Sequence, residues 1–187
     1  MATSAFIGRV GKNGKFVGSH VNYDGYESQM LPLLANYETD EEVDALLALG
    51  NLSELGADTD SCVAYHRDRG ERFRRTFLNS LEDAKAEYFY FYIFVDGSWL
   101  RRESAIKFFV QEEANLNAKV ALLENNNNVT LERANKLFHI QLSTYGGYFF
   151  DCYTKVKNKL IYVDGGDFRG DARSAVTSVM FNSLQGV

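Results

Sequence analysis

The chain has 187 residues, enough for one domain or two small ones, and its 45% hydrophobic and 24% charged content is that of a globular protein rather than a disordered one. A net charge of −5 argues against general nucleic-acid binding, which needs a basic face, and is too mild for a densely acidic DNA mimic. Cys62 and Cys152 form no CxxC pair and read as buried thiols of a reducing compartment; no apolar run approaches the roughly 20 residues of a membrane helix, so no membrane partner is expected.

In chain order, "AFIGRV" and "KFVGSHV" flank "GKNGK", where Asn13-Gly14 supplies the turn of a β-hairpin. In "SQMLPLLANY", Met30, Leu33 and Leu34 have helical spacing, with Pro32 suited to a first turn. "TDEEVDALLALG" predicts a helix with a Thr39/Glu42 capping box, an apolar stripe of Val43, Leu46 and Leu47, and Gly50 as its stop; its acidic first turn needs no role beyond the helix dipole. "SCVAYH" reads as a strand, and Phe73, Phe77, Leu81 and Ala84 predict one helix through "RFRRTFLNSLEDAKAE". "YFYFYIFVDGSWLRR" predicts an aromatic strand, an Asp96-Gly97 turn and a return strand. "SAIKFFVQEEANLNAKVALLE" reads as a helix, Asn125 to Asn128 as a polar loop, and "TLERANKLF" as a short helix. "GGYFFDCYTKVKNKLIYVDGGDF" reads as a strand pair with a second Val-Asp-Gly turn, and "ARSAVTSVMFNSL" as a closing helix. The expected fold class is α+β, a mixed and mainly antiparallel sheet built from hairpins with several packed helices. An N-terminal region over 1–124 is expected to carry the polar motifs, with a C-terminal extension over 129–187 packed on the same domain.

Two polar clusters stand out. In the first, His20, Asn22 and Asp24 share one face if the strand continues, with Tyr23 and Tyr26 beside them. That row suits a polar ligand, whereas one His with one Asp is thin for a metal; the structural alternative is a strand ending in an Asp24-Gly25 turn. The second is "YHRDRGERFRR", with arginines at 67, 69, 72, 74 and 75. Guanidinium forks bind phosphate and carboxylate, and His66 beside Asp68 suits a general base. The structural alternative is neutralisation by the interleaved Asp68 and Glu71. P-loop, nucleophile-elbow and zinc-protease signatures are missing, so no catalytic residue, cofactor or metal is expected.

Three pieces of the chain carry a resemblance. "NYDGYES" resembles the His-Trp-Asp-Gly-Tyr-Pro-Glu box of a family of small uncharacterised proteins encoded by tailed bacteriophages and prophages. "LLANY" with "VDALLALGNLSELG" is similar to that family's Leu-Leu helices and following turn, and "VAYHRDRGE" to its next box. The match runs from Phe6 to Glu71, with Asp24, Gly25, Tyr26, Arg67, Asp68, Arg69 and Glu71 in place, while Asn22, Tyr23 and Glu27 stand where the pattern has His, Trp and Pro.

The resemblance implies a phage origin. Together with the missing catalytic signatures, the aromatic surplus and the arginine island, it gives the expectation of a binding protein of the bacterial host cytoplasm: a counter-defence or host-takeover factor that inhibits a host protein or sequesters a nucleotide signal. The expected ligand- or partner-binding residues are Asp24, Tyr26, His66, Arg67, Asp68, Arg69 and Arg72, with Asp24 paired to Arg67 or Arg69 where the two boxes meet at a sheet edge. An enzyme acting on a phosphorylated small molecule and a virion-associated structural protein are the alternatives. Self-association into a homo-oligomer is a further expectation, from aromatic strands such as "YFYFYIF" that exceed one core's capacity.

Overall fold

The computed structural model describes residues 3–11, 15–133, 136–157 and 159–182. Among them are six helices and eleven strands in an α+β arrangement, and the chain divides into two compact units, Met1–Phe109 and Val110–Val187. In the first unit the elements are β1 (Ala5–Val10), β2 (Phe16–Val21), α1 (Glu27–Leu34), α2 (Asp40–Ala48), β3 (Leu52–Glu54), β4 (Val63–Ala64), α3 (Tyr65–Arg69), β5 (Thr76–Leu78), α4 (Leu81–Glu87), β6 (Tyr90–Val95) and β7 (Ser98–Arg101). The long helix α5 (Arg102–Asn126) runs through the division.

β1 and β2 form the expected antiparallel hairpin, from Ala5 opposite Val21 to Val10 opposite Phe16; the Asn13-Gly14 turn lies outside the described residues. β1 also pairs in parallel with β6, which makes it a central strand with all six residues buried. The strand order is β4-β3-β2-β1-β6-β7, and β5 pairs with β2 over residues 16–18. Period-two alternation divides β1 between two faces. Ala5 and Ile7 join the core beneath α1 and α2, with Met30, Leu34, Val43, Leu46 and Leu47. Phe6 turns the other way, and its ring lies over the facing pair Gly8 and Gly18. A Cβ on Gly18 would come 2.0 Å from the Ile7 carbonyl oxygen, so only glycine fits there.

α2 is the helix its sequence predicts. The Glu42 N–H donates to Thr39 Oγ1 (3.2 Å) and the Thr39 N–H to Glu42 Oε2 (3.0 Å), closing the capping box. Its acidic turn also has a partner: Arg9 of β1, 6% exposed, reaches Asp40 (2.8 Å) and Asp44 (2.7 Å), which share a helix face at i and i+4. Pro32 sits inside α1 rather than in its first turn, because the helix starts as early as Glu27.

Ser19, directly opposite Ile7, is fully buried and its Oγ has no hydrogen-bond partner. An unpaired buried hydroxyl is a net cost. Ser19→Ala is therefore expected to raise stability by about 1 kcal/mol in urea unfolding; a loss of similar size would mean that the hydroxyl is satisfied.

Several elements differ from expectation. "VAYHRDR" is two residues of strand followed by the short helix α3. The single helix expected across 72–87 is an irregular segment, then β5, then α4 capped by Ser80, whose Oγ accepts the Asp83 N–H (3.1 Å). β5 exists because Phe16 to Gly18 offer it a ladder, a tertiary pairing that local propensity does not reveal. The aromatic strand β6 is consumed by its own unit: Phe91 to Val95 are all buried.

In the second unit, β8 (Asn128–Arg133), β9 (Lys136–Leu142), β10 (Tyr148–Val156) and β11 (Lys159–Phe168) form an antiparallel meander in the order β11-β10-β9-β8, followed by α6 (Ala172–Asn182). "TLERANKLF" thus contributes to two strands instead of a helix. Val129 and Leu131 alternate with polar residues and pair with Ile140 and Phe138. The second Val-Asp-Gly lies within β11 rather than at a turn. The core combines Leu116 and Leu123 of α5 with Val129, Leu131, Phe138, Ile140 and Cys152, and with Ala175, Val176 and Val179 of α6. The Asn run expected as a boundary is split between the end of α5 and the start of β8. Both cysteines are free and buried, and among the described residues no helix is long and apolar enough to cross a membrane.

Candidate functional site

The first polar motif closes into a local turn. Beyond β2 the Asn22 and Tyr23 N–H groups donate to the Leu52 and Ser53 carbonyls (3.0 Å each), carrying the chain along β3. Asp24 then adopts φ +57°, in the left-handed region, and the Gly25 N–H donates to the Thr3 carbonyl (2.7 Å). The Gly25 carbonyl accepts from the buried Tyr92 hydroxyl (2.9 Å). The Tyr26 hydroxyl donates to Asp24 Oδ1 (3.1 Å), and this hydrogen bond to a carboxylate raises the phenol above its ordinary range. His20 instead packs on Tyr88, with Nδ1 3.2 Å from its hydroxyl. Among the described residues no group of three or more His, Cys, Asp or Glu is gathered to hold a metal.

The second motif is dominated by α3. Asp68 Oδ2 accepts the Ala64 N–H at the helix N-cap (2.7 Å), and Gly70, at φ +68°, ends the helix. Arg67 donates to Asp68 Oδ1 (2.8 Å), to the Thr59 carbonyl (2.7 Å) and to the Cys62 carbonyl, tying down the preceding loop. Arg69 donates to Ser53 Oγ (2.8 Å) and lies over the Tyr65 ring. The two motifs meet through Ser53, whose carbonyl takes the Tyr23 N–H and whose hydroxyl takes Arg69. The ion pair expected between Asp24 and Arg67 or Arg69 is not formed: the Asp24 carboxylate serves its own turn, and both arginines hold their fold neighbours.

The Arg67 hydrogen bond and then the Ala64 N–H hold the Asp68 carboxyl below its ordinary range. Its pKa is thus lower folded than unfolded. The stabilisation is complete above the unfolded value of about 3.9 and is lost as pH falls through the folded one. The melting-temperature gap between wild type and Asp68→Asn is accordingly expected to be widest near neutral pH and to narrow below about pH 4. A gap that ignores pH would contradict this assignment.

The remaining part of the motif forms a cleft of about 210 Å³ lined by Asn51, Tyr65, His66, Glu71, Arg72 and Arg74. Asn51 ties its surrounding segments together. Its N–H donates to the Arg74 carbonyl (2.8 Å), its carbonyl accepts the Tyr65 N–H (3.2 Å), and its Oδ1 accepts the His20 N–H (3.1 Å) and the Thr76 hydroxyl (3.0 Å). Gly50, at φ +74°, lets the Phe73–Arg74 backbone pass close: a Cβ there would lie 2.6 Å from the Arg74 carbonyl oxygen. His66 Nδ1 is 2.9 Å from the Glu71 carbonyl oxygen, and its ring meets Phe73 edge-on. A carbonyl can only accept, so Nδ1 carries the proton of this bond and Nε2 of the neutral ring remains an acceptor. The Arg72 and Arg74 side chains are exposed and make no ion pair or hydrogen bond among the described residues.

The structure thus brings His66 and Arg72 into the cleft and commits Arg67, Asp68 and Arg69 to the frame around it, while Asp24 and Tyr26 form a separate turn. Of the other cleft residues, Tyr65, Glu71 and Arg74 belong to the second cluster but not to the expected binding residues, and Asn51 lies outside both clusters. Asn51 carries only one local signal, its place after the helix-stopping Gly50, and that signal predicts a turn. No family model matches the chain, and no curated protein or solved structure matches it.

Proposed function

We propose that the chain is a phage-encoded binding protein of the bacterial host cytoplasm, and that its N-terminal unit sequesters a phosphorylated small molecule of the nucleotide-signal class. The observation that carries this reading is the division of labour among the arginines. Arg67 is held by carbonyls and the Asp68 carboxylate, and Arg69 donates to the Ser53 hydroxyl and lies over the Tyr65 ring. Arg72 and Arg74 line a concave surface together with Glu71 and make no ion pair among the described residues. An exposed guanidinium that makes no ion pair among the described residues is suited to an incoming phosphate, and Tyr65, His66 and the Glu71 carboxylate line the same cleft. The test is a thermal-shift and calorimetric screen of the full chain against nucleoside mono-, di- and triphosphates, cyclic nucleotides and inorganic phosphate. Saturable binding of at least one organic phosphate is expected; no binding across the panel would rule the reading out.

One observation favours a second reading, an enzyme acting on the same ligand class. The Nδ1 contact to Glu71 leaves His66 Nε2 as an acceptor in a residue that lines the cleft, the arrangement of a general base. Consumption of a bound nucleotide at high protein concentration, abolished by His66→Ala, would establish it; binding without turnover, with or without divalent metal, leaves the sequestration reading.

A further inference from the structure

β11 is an edge strand of the second unit's sheet, and its backbone has no neighbour on the outer side among the described residues. Natural edges of this kind are usually blunted by charges, a proline, a bulge or brevity; this one has charges towards its ends and one irregularity, yet keeps an exposed apolar run between them. Here Leu160, Ile161, Tyr162 and Val163 follow one another, 54%, 52%, 58% and 52% exposed, in a ten-residue strand. The irregularity opposite Cys152 and Tyr153 leaves Val163 outside the ladder with β10. The strand is also electrically polar. Exposed Lys159 opens it, with Lys155 and Lys157 in the adjoining hairpin, and exposed Asp164 and Asp167 lie towards its far end.

We propose that β11 pairs antiparallel with β11 of a second copy of this chain, so that two sheets become one. A two-fold axis perpendicular to the sheet, through the apolar run, brings the two edges together in opposite directions. Lys159 of each copy then meets the 164–167 segment of the other, with the apolar residues opposed at the centre. A parallel arrangement would set lysine on lysine and aspartate on aspartate, so the charge pattern selects one orientation. The edge is complementary to itself, and that self-complementarity identifies the occupant as another copy rather than a foreign strand.

Sedimentation equilibrium of the full chain tests this. The wild type is expected to dimerise, with a dimer fraction that rises with concentration. Lys159→Glu alone, and Asp164→Lys combined with Asp167→Lys, are each expected to be monomeric, and their equimolar mixture is expected to recover a heterodimer because the reversed charges match again. Circular dichroism checks that both remain folded. Tyr162→Lys, which sets like charges near the axis, is also expected to be monomeric and serves if a charge-reversed chain fails to fold. A wild type that stays monomeric at the highest concentration reached, a dimer indifferent to these substitutions, or a folded mixture that stays monomeric overturns the proposal.

Discussion

Replacing Asp40 and Asp44 together by alanine is expected to cost the fold about 3–5 kcal/mol, the penalty for leaving a buried charge without a partner. Arg9 lies in the central strand with its side chain 8% exposed, and these two carboxylates are its ion-pair partners. Either single replacement leaves the other carboxylate within reach, so each should cost much less than half of the double change. The cause is separable from lost helix dipole or capping. Adding Arg9→Met to the double variant removes the stranded charge and is expected to recover most of the stability, since a buried ion pair can be exchanged for apolar packing at little net cost. Urea unfolding of the wild type, the two single variants, the double and the triple reads this directly. A triple variant no more stable than the double would show that the loss comes from α2 rather than from Arg9.

The second large effect concerns binding. Arg72→Ala and Arg74→Ala are each expected to weaken the bound organic phosphate about 10- to 150-fold, corresponding to about 1.5–3 kcal/mol for hydrogen bonds to a charged group. The double variant should bind at or below the detection limit. Melting temperatures should stay at the wild-type value, because neither side chain makes an ion pair or hydrogen bond among the described residues. Arg67→Ala should do the reverse and lower the melting temperature, since Arg67 holds the Thr59 and Cys62 carbonyls and Asp68. Isothermal titration alongside thermal melts separates the two classes. A loss of binding that always accompanies a loss of stability would remove the distinction.

The fold was legible where a pattern repeats or a terminus is marked. The first hairpin, the capped helix α2, the β6–β7 turn and the long helix α5 all carry such signals, and each is present. It was illegible where tertiary pairing decides. β5 is three residues long and α3 five, too short to display a period. The 129–138 stretch is rich in helix formers, yet it is split between β8 and β9 by the pairing of Val129 and Leu131 with Ile140 and Phe138. The arginine island was visible as composition, but its division was not. Arg67 is satisfied by backbone carbonyls, which a charge pattern cannot show, and Arg9 finds Asp44 35 residues away. Asn51 was missed because it works through the backbone of His20, Tyr65 and Arg74 and the Thr76 hydroxyl, none predictable from its neighbours.

On the proposed function, Arg72 and Arg74 serve a ligand while Arg67 and Arg69 serve the fold. Backbone amide shifts of the full chain, followed by NMR as the tightest-binding nucleotide of the panel is added, test it most directly. Saturable shifts are expected at Asn51, Tyr65, His66 and residues 71–74, with the amides of the Asp24-Gly25 turn unmoved. Shifts centred on the Asp24 turn or in the second unit, or no saturable shift for any nucleotide, would contradict it.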